Sequence, residues 1–106
     1  MIFTDELVTQ IRQHTRAVLS LTGRSGYPIA LPLPFTFEAG KGLFAMPMPK
    51  NLPNTVPHNG RASLTLLRYD PQAANERWLI FHGRLVERMH GFDFYPSRMV
   101  APQWRR

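Results

Sequence analysis

Residues 28–37 read PIALPLPFTF, and this stretch decides the fold. From Ile29 to Phe37 every odd-numbered position holds a large apolar residue, whereas the even-numbered positions hold alanine, proline or threonine. Strict alternation of this kind is typical of a β-strand with one face in a core and a second, shallow face. We therefore predict one long strand from Ile29 to Phe37.

The prolines of this strand indicate its position in the sheet. Pro28, Pro32 and Pro34 all fall in the even register, in which successive N–H groups point to the same edge. Because proline has no N–H group, that edge lacks three donors and cannot carry a full ladder of hydrogen bonds. The pattern predicts an open edge. It is either an ordinary edge that prolines protect from aggregation or a place where a flat ligand lies.

The rest of the chain adds one helix and several short strands. Thr4 to Arg16 predicts a helix that Thr4 caps, with Asp5 and Glu6 at its positive end. A turn at 23–26 and a long link at 49–60, with a helical turn around Asn54 to Pro57, separate the strands. We expect these at residues 17–22, 43–48, 61–69, 77–87 and 92–95. Five or six short strands after one helix predict a small, mainly antiparallel β-barrel or sandwich.

Composition limits the class of protein. A chain of 106 residues with 43% hydrophobic residues predicts one globular domain, residues 1–106. The absence of cysteine excludes disulfides and cysteine nucleophiles. The four histidines do not have the spacing of a metal site, so we expect no metal, although His82 on a strand face is the one to follow. No apolar run reaches membrane-spanning length, and the early acidic residues argue against a signal peptide, so we expect a cytoplasmic protein.

The net charge of +6 comes from eleven arginines and two lysines. A basic balance indicates an anionic partner, either nucleic acid or a phosphorylated cofactor. The arginines are scattered along the chain, so nucleic acid is not our first expectation. As an alternative function we keep a non-catalytic basic β-barrel that binds nucleic acid through Arg24, Arg61, Arg68, Arg77 and Arg84, with Tyr27 or Trp78 stacking on bases.

The segment Lys50 to Leu64, KNLPNTVPHNGRASL, is the main candidate for a binding site. It is a long polar link between two predicted strands, and links of this length in small domains often carry function. Lys50 with nearby amides and hydroxyls suits a terminal phosphate. A solvated loop in which the asparagines form turns is the alternative.

The order of these features resembles the FMN-binding split barrel of the pyridoxamine 5′-phosphate oxidase-like superfamily. The resemblance rests on the leading helix, the strand Arg16 to Thr22 and the turn Gly26-Tyr27-Pro28. It also rests on Pro34-Phe35-Thr36-Phe37, on the succession Lys50, Asn54, Asn59-Gly60 and Arg61-Ala62-Ser63-Leu64, and on His82-Gly83-Arg84 in the fifth strand. Together these cover residues 3 to 88. The resemblance implies a split β-barrel with a Greek-key-like order, and a homodimer with FMN in a groove between the subunits.

The resemblance also implies roles for individual residues. Lys50 is similar to the family's phosphate ligand, with Asn54 and Ser63 assisting. The backbone near Pro34, Phe35 and Thr36 would pass along the isoalloxazine ring. We therefore expect an FMN-binding protein, a flavin-dependent oxidoreductase acting on a small molecule that the sequence does not identify.

The sequence departs from the family at several positions. Leu31, Thr36 and Pro49 stand where the family has basic residues that help to bind FMN. The family's C-terminal arginine-histidine motif is not seen, and its helix between the fifth and sixth strands is missing or very short. Oxidation of pyridoxamine phosphate itself is therefore not expected. A deazaflavin or haem, which relatives of this fold bind, remains an alternative ligand, as does a relative that has lost its cofactor.

Overall fold

The computed structural model describes residues 1–70 and 75–100. The chain begins with one helix, α1 (Asp5–Arg12). Seven strands follow: β1 (Arg16–Thr22), β2 (Pro28–Leu33), β3 (Thr36–Glu38), β4 (Leu43–Pro47), β5 (Gly60–Asp70), β6 (Asn75–Arg88) and β7 (Gly91–Val100). The fold is mainly β with an N-terminal helix, as the alternating pattern predicts.

All seven strands belong to one antiparallel sheet in the order β2-β1-β5-β6-β7-β4-β3. The sheet curls into a small half-barrel. The terminal strands of this order, β2 and β3, are consecutive in sequence. The chain therefore joins the two edges of the sheet covalently, and this connection makes the curled sheet barrel-like.

The predicted long strand Ile29 to Phe37 is divided into two in the structure. Its first part, β2, pairs with β1, whereas its last part, β3, pairs with β4 on the other side of the barrel. The break falls at Pro34 and Phe35. The prediction of a single uninterrupted strand is therefore wrong, because this segment pairs with β1 at one end and with β4 at the other. Among the described strands β2 is hydrogen-bonded to β1 alone, so the predicted open edge is confirmed.

The core lies inside the curl and centres on the fully buried Phe44. Its ring centroid is 4.8 Å from that of Phe37, 5.3 Å from Phe81 and 6.2 Å from Phe94. The buried residues alternate along each strand, as in β5, where Ala62, Leu64 and Leu66 point inward. In β6, Leu79, Phe81 and Leu85 are buried in the same way.

The helix ends four residues earlier than predicted, at Arg12 rather than Arg16. Thr4 is its N-cap, and the Thr4 hydroxyl accepts a hydrogen bond of 3.2 Å from the Leu7 N–H. Gln13 ends the helix, and by Arg16 the chain has entered β1. The pairing of Arg16 with Leu67 of β5 extends the strand into residues that alone would continue the helix.

Four strands, β1, β5, β6 and β7, are longer than predicted. The last one, β7, runs through Pro96 to Val100, where residues 92–95 were expected. Pro96 is tolerated because β4 pairs with β7 only as far as Phe94, which leaves one side of Pro96 without a neighbouring strand. The predicted loop 70–76 is shorter at both ends, since Asp70 belongs to β5 and Asn75 to β6; the predicted loop residues 71–74 lie outside the described residues.

The link between β4 and β5 covers the barrel end at which β1 finishes. Val56 is fully buried, and its N–H bonds the Pro53 carbonyl at 3.1 Å, which closes a single turn where a helical turn was expected. In the described part of the chain, no helix is long and apolar enough to cross a membrane.

Candidate functional site

The outer face of the sheet, opposite the core, carries two shallow grooves. The first, which we name the arginine groove, has a volume of about 480 Å³ and lies across β1, β5, β6 and the start of the bulge in β7. The second, the Thr36 groove, has a volume of about 470 Å³ and lies across β3, β4 and β7. Both volumes are in the range of small-molecule sites.

The pairing register builds the arginine groove. Ser20 of β1 pairs with Ser63 of β5, Ser63 pairs with His82 of β6, and His82 pairs with Arg98 of β7. Residues paired across antiparallel strands project to the same face, so these four side chains form one polar row. The next row toward the β1–β2 turn places Arg61 opposite Arg84.

A β-bulge widens the groove at its β7 side. His82 pairs with Arg98 but Gly83 pairs with Pro96, which leaves Ser97 as the extra residue. The Ser97 hydroxyl donates to the His82 carbonyl at 3.0 Å. Gly83 is required at this point, because a Cβ there would lie 2.1 Å from the Tyr95 carbonyl oxygen.

His82 is oriented by an arginine. A guanidinium nitrogen of Arg98 lies 3.2 Å from His82 Nδ1. Since a guanidinium can only donate, Nδ1 must accept, and the ring carries its proton on Nε2. His82 can therefore offer one N–H to a ligand.

Arg61 and Arg84 face each other without a counter-charge. Both side chains are exposed, and no carboxylate in the described part of the chain pairs with either. The nearest acid along β6, Glu87, is held by His58 at 2.6 Å. Like charges directly opposite on neighbouring strands are destabilising, so a bound anion would stabilise this pair of arginines.

In the Thr36 groove, the charges of Arg88 and Asp93 neutralise each other. Thr36 pairs with Ala45, and Ala45 pairs with Asp93, so these three residues lie side by side in the groove. Arg88 donates to Asp93 at 3.0 Å and to the Tyr95 hydroxyl at 2.7 Å. The hydrogen bonds to Tyr95 and then Asp93 raise the pKa of Arg88 above its ordinary value, so the guanidinium stays charged and fixed.

Lys50 lies three residues beyond the Pro47 that lines the Thr36 groove. It is exposed, and it has no ion pair with any described side chain. The other lysine, Lys41, is 3.8 Å from Glu38 in the β3–β4 turn. Three residues of chain span at most about 10 Å, so the Lys50 backbone lies within that distance of Pro47.

The amides of the link mostly anchor the link itself. The Asn54 carbonyl accepts from Arg24 at 3.1 Å, and Asn59 Oδ1 accepts from the Glu87 N–H at 3.1 Å. His58 is tied to Glu87 and packs edge-on against Phe92, with ring centroids 5.8 Å apart. The Asn59 side chain therefore ties the link to β6, whereas Asn54 takes part through its main-chain carbonyl.

The structure does not bring the predicted site residues together in one place. Thr36 lines the Thr36 groove, with Pro34 and Phe35 just before it, and Lys50 follows its β4 side. Phe35 is half-buried and its ring centroid is 5.9 Å from that of Phe44. Ser63 lies instead in the arginine groove, and Asn54 is exposed in the link and lines neither groove.

The arginines proposed for nucleic acid differ in their contacts. Arg61 and Arg84 pair with each other on the outer face. Arg24 donates to the Asn54 carbonyl of the link, and Arg68 donates to Gln13 beside the helix at 2.7 Å. The side chain of Arg77 lies outside the described residues. Two of the four described arginines are therefore held by other residues of the chain.

Reasoning from the sequence missed the row Ser20, Ser63, His82 and Arg98 as a unit. Each residue lies in a predicted strand, but their contact depends on the register of three strand pairs. The available signal is the pair of short motifs Arg61-Ala62-Ser63 and His82-Gly83-Arg84. In consecutive antiparallel strands these motifs align arginine with arginine once Ala62 is set opposite Gly83.

Within residues 1–70 and 75–100, no three metal-binding side chains come together as a candidate metal site. Comparison with models of known protein families gives no match for this chain, and no curated protein matches it either.

Proposed function

We propose that this chain binds FMN as a homodimer and serves as a flavin-dependent oxidoreductase. The proposal is supported above all by one observation: Lys50 is exposed, has no acidic partner among the described residues, and follows by three residues the Pro47 that, with Thr36 and Ala45, lines the Thr36 groove. A phosphate on this lysine and a ring along the groove account for both features. The flavin would supply hydride or electron transfer.

The residues at the groove fit the parts of the ligand. Lys50 would hold the phosphate, because an ammonium with no internal counter-ion gains most from a dianion. Pro34 offers no N–H, and the half-buried Phe35 fixes the chain beside it on the core, so the backbone there presents a flat, dry edge to a ring. The exposed Thr36 hydroxyl would donate to a polar atom of the ring edge.

A second copy of the chain would complete the dimer that the family resemblance implies. The outer face carries a half-buried row of mainly apolar residues, in which Val18 pairs with Thr65, Thr65 with Ile80 and Ile80 with Val100. Apolar surface of this kind on the outer face of a sheet is typical of an interface. Pairing through this row would bring the second subunit against β7, the strand that also lines the Thr36 groove.

Binding is tested by titrating the purified protein with FMN and following flavin fluorescence. Hydrogen bonds to charged groups are worth about 1.5–3 kcal/mol, so we expect Lys50→Ala to weaken FMN binding about tenfold or more. Lys41→Ala removes the same charge from the distant β3–β4 turn and should leave affinity unchanged. Riboflavin, which lacks the phosphate, should not distinguish wild type from Lys50→Ala. No binding at FMN concentrations on the order of 100 μM would overturn the proposal.

A further inference from the structure

We infer that the arginine groove is a second anion site, which binds the phosphate of a phosphomonoester small molecule. It is separate from Lys50, and the inference does not rest on flavin binding. The observation that carries it is the cross-strand pair Arg61 and Arg84, set above a row of hydroxyls with no described carboxylate to neutralise it.

The charges of Arg61 and Arg84 favour a bound anion. Two arginines directly opposite on neighbouring strands have Cβ atoms about 5 Å apart, and such a pair is destabilising unless something lies between the guanidinium groups. The fold has acids nearby but uses them elsewhere: Glu87 is bound to His58, and Asp93 to Arg88. An anion is therefore the group missing from this pair.

The hydrogen-bond donors of the arginine groove suit a phosphate monoester. Arg61 and Arg84 line the same groove as Ser20, Ser63 and His82, so two guanidinium groups, two hydroxyls and the Nε2–H of His82 are available to one ligand there. A phosphate monoester has three terminal oxygens that accept several hydrogen bonds, and bidentate arginine contacts match its geometry. A carboxylate, with two oxygens, would leave part of this donor set unused.

The size and shape of the arginine groove favour a small phosphomonoester over a nucleic acid. At about 480 Å³ and with an open side, the groove holds a compact group and lets the rest of its molecule extend over the outer face. A nucleic acid would need a line of cations to follow its backbone. Arg24 and Arg68 are instead engaged by Asn54 and Gln13, away from this row.

The test uses the isotopically labelled full-length protein, with inorganic phosphate as the probe. Amide shifts of Ser63, Gly83 and Ser97 are followed by NMR during the titration. We expect saturation, with Arg61→Gln and Arg84→Gln each weakening binding about tenfold or more, since each removes hydrogen bonds to a charged group. Arg12→Gln on the helix makes the same change in net charge and should alter the affinity by less than about twofold.

Other outcomes overturn the inference. Shifts that do not saturate, or an Arg12→Gln variant as weak as Arg84→Gln, would mean that only net charge attracts phosphate. Displacement of phosphate by a single-stranded oligonucleotide, with steep salt dependence, would assign the groove to nucleic acid. Both glutamine variants should fold, because they replace exposed side chains and relieve repulsion. FMN titration of the same variants separates this site from the flavin site: Arg84→Gln should retain FMN affinity even if Lys50→Ala loses it.

Discussion

At the scale of single residues, two glycines allow strands to pass closer than any other residue would. A Cβ on Gly83 would lie 2.1 Å from the Tyr95 carbonyl oxygen, and one on Gly91 would lie 2.1 Å from that of Met46. Both obstacles are backbone atoms of β-strands, which cannot move aside as a flexible side chain can. These contacts couple the bulge of the arginine groove to the stability of the whole sheet.

The first prediction concerns Gly83. Gly83→Ala should lower the free energy of unfolding by about 2 kcal/mol or more, because β6 and β7 have to separate to admit the methyl group. Gly40→Ala is the matched control, since a Cβ at Gly40 meets nothing within 4 Å. Its effect should stay within about 0.5 kcal/mol in the same urea denaturation experiment. Equal effects for the two variants would contradict the close approach of β6 and β7.

At the scale of elements, the stability of α1 depends on its N-cap residue, Thr4. The Thr4 hydroxyl caps the Leu7 N–H, whereas the Thr9 hydroxyl bonds the Asp5 carbonyl within the helix. Thr4→Ala should therefore cost about 1 kcal/mol of stability, measured by thermal unfolding. Thr9→Ala, an identical chemical change on an exposed helical residue, should be neutral or slightly stabilising. A larger loss from Thr9→Ala than from Thr4→Ala would contradict the assigned helix start.

The bounds of the helix and strands also show how much of the fold could be predicted from the sequence. The alternation from Ile29 to Phe37 correctly gives the buried face and the open edge, because both follow from local geometry. The division at Pro34 and Phe35 does not follow from alternation, since it depends on β4 lying across the barrel to receive Thr36. The early end of the helix has a similar cause, because Arg16 is drawn into β1 by its pairing with Leu67.

The candidate site was predictable only in part, for the same reason. Lys50 is suggested by the polar link between β4 and β5, and Thr36 by the family resemblance. The meeting of Arg61 with Arg84 and of Ser63 with His82 requires the register of β5 against β6. Register is set by long-range packing of Leu64 and Phe81 in the core, and no short window of sequence contains it.

At the scale of the whole molecule, the outer face predicts self-association. Ile80 lies at the middle of the apolar row on this face and is only half-buried in the single chain. Ile80→Lys should produce a monomer with an unchanged far-ultraviolet circular dichroism spectrum, because a charge in a packed apolar interface is costly. Ile2→Lys places the same side chain at the N-terminus, where Ile2 is 86% exposed, and should leave the dimer intact. A wild-type protein that is monomeric at all concentrations would contradict this prediction.

The proposed function joins two claims, flavin binding and a dimer. Sedimentation velocity tests both in one measurement when it is recorded in the visible absorbance band of added FMN. The account predicts that the flavin absorbance sediments with a species of twice the 12.2 kDa chain mass, and that riboflavin sediments with it far less. Flavin that does not sediment with the protein, or that sediments with a single chain, would contradict it.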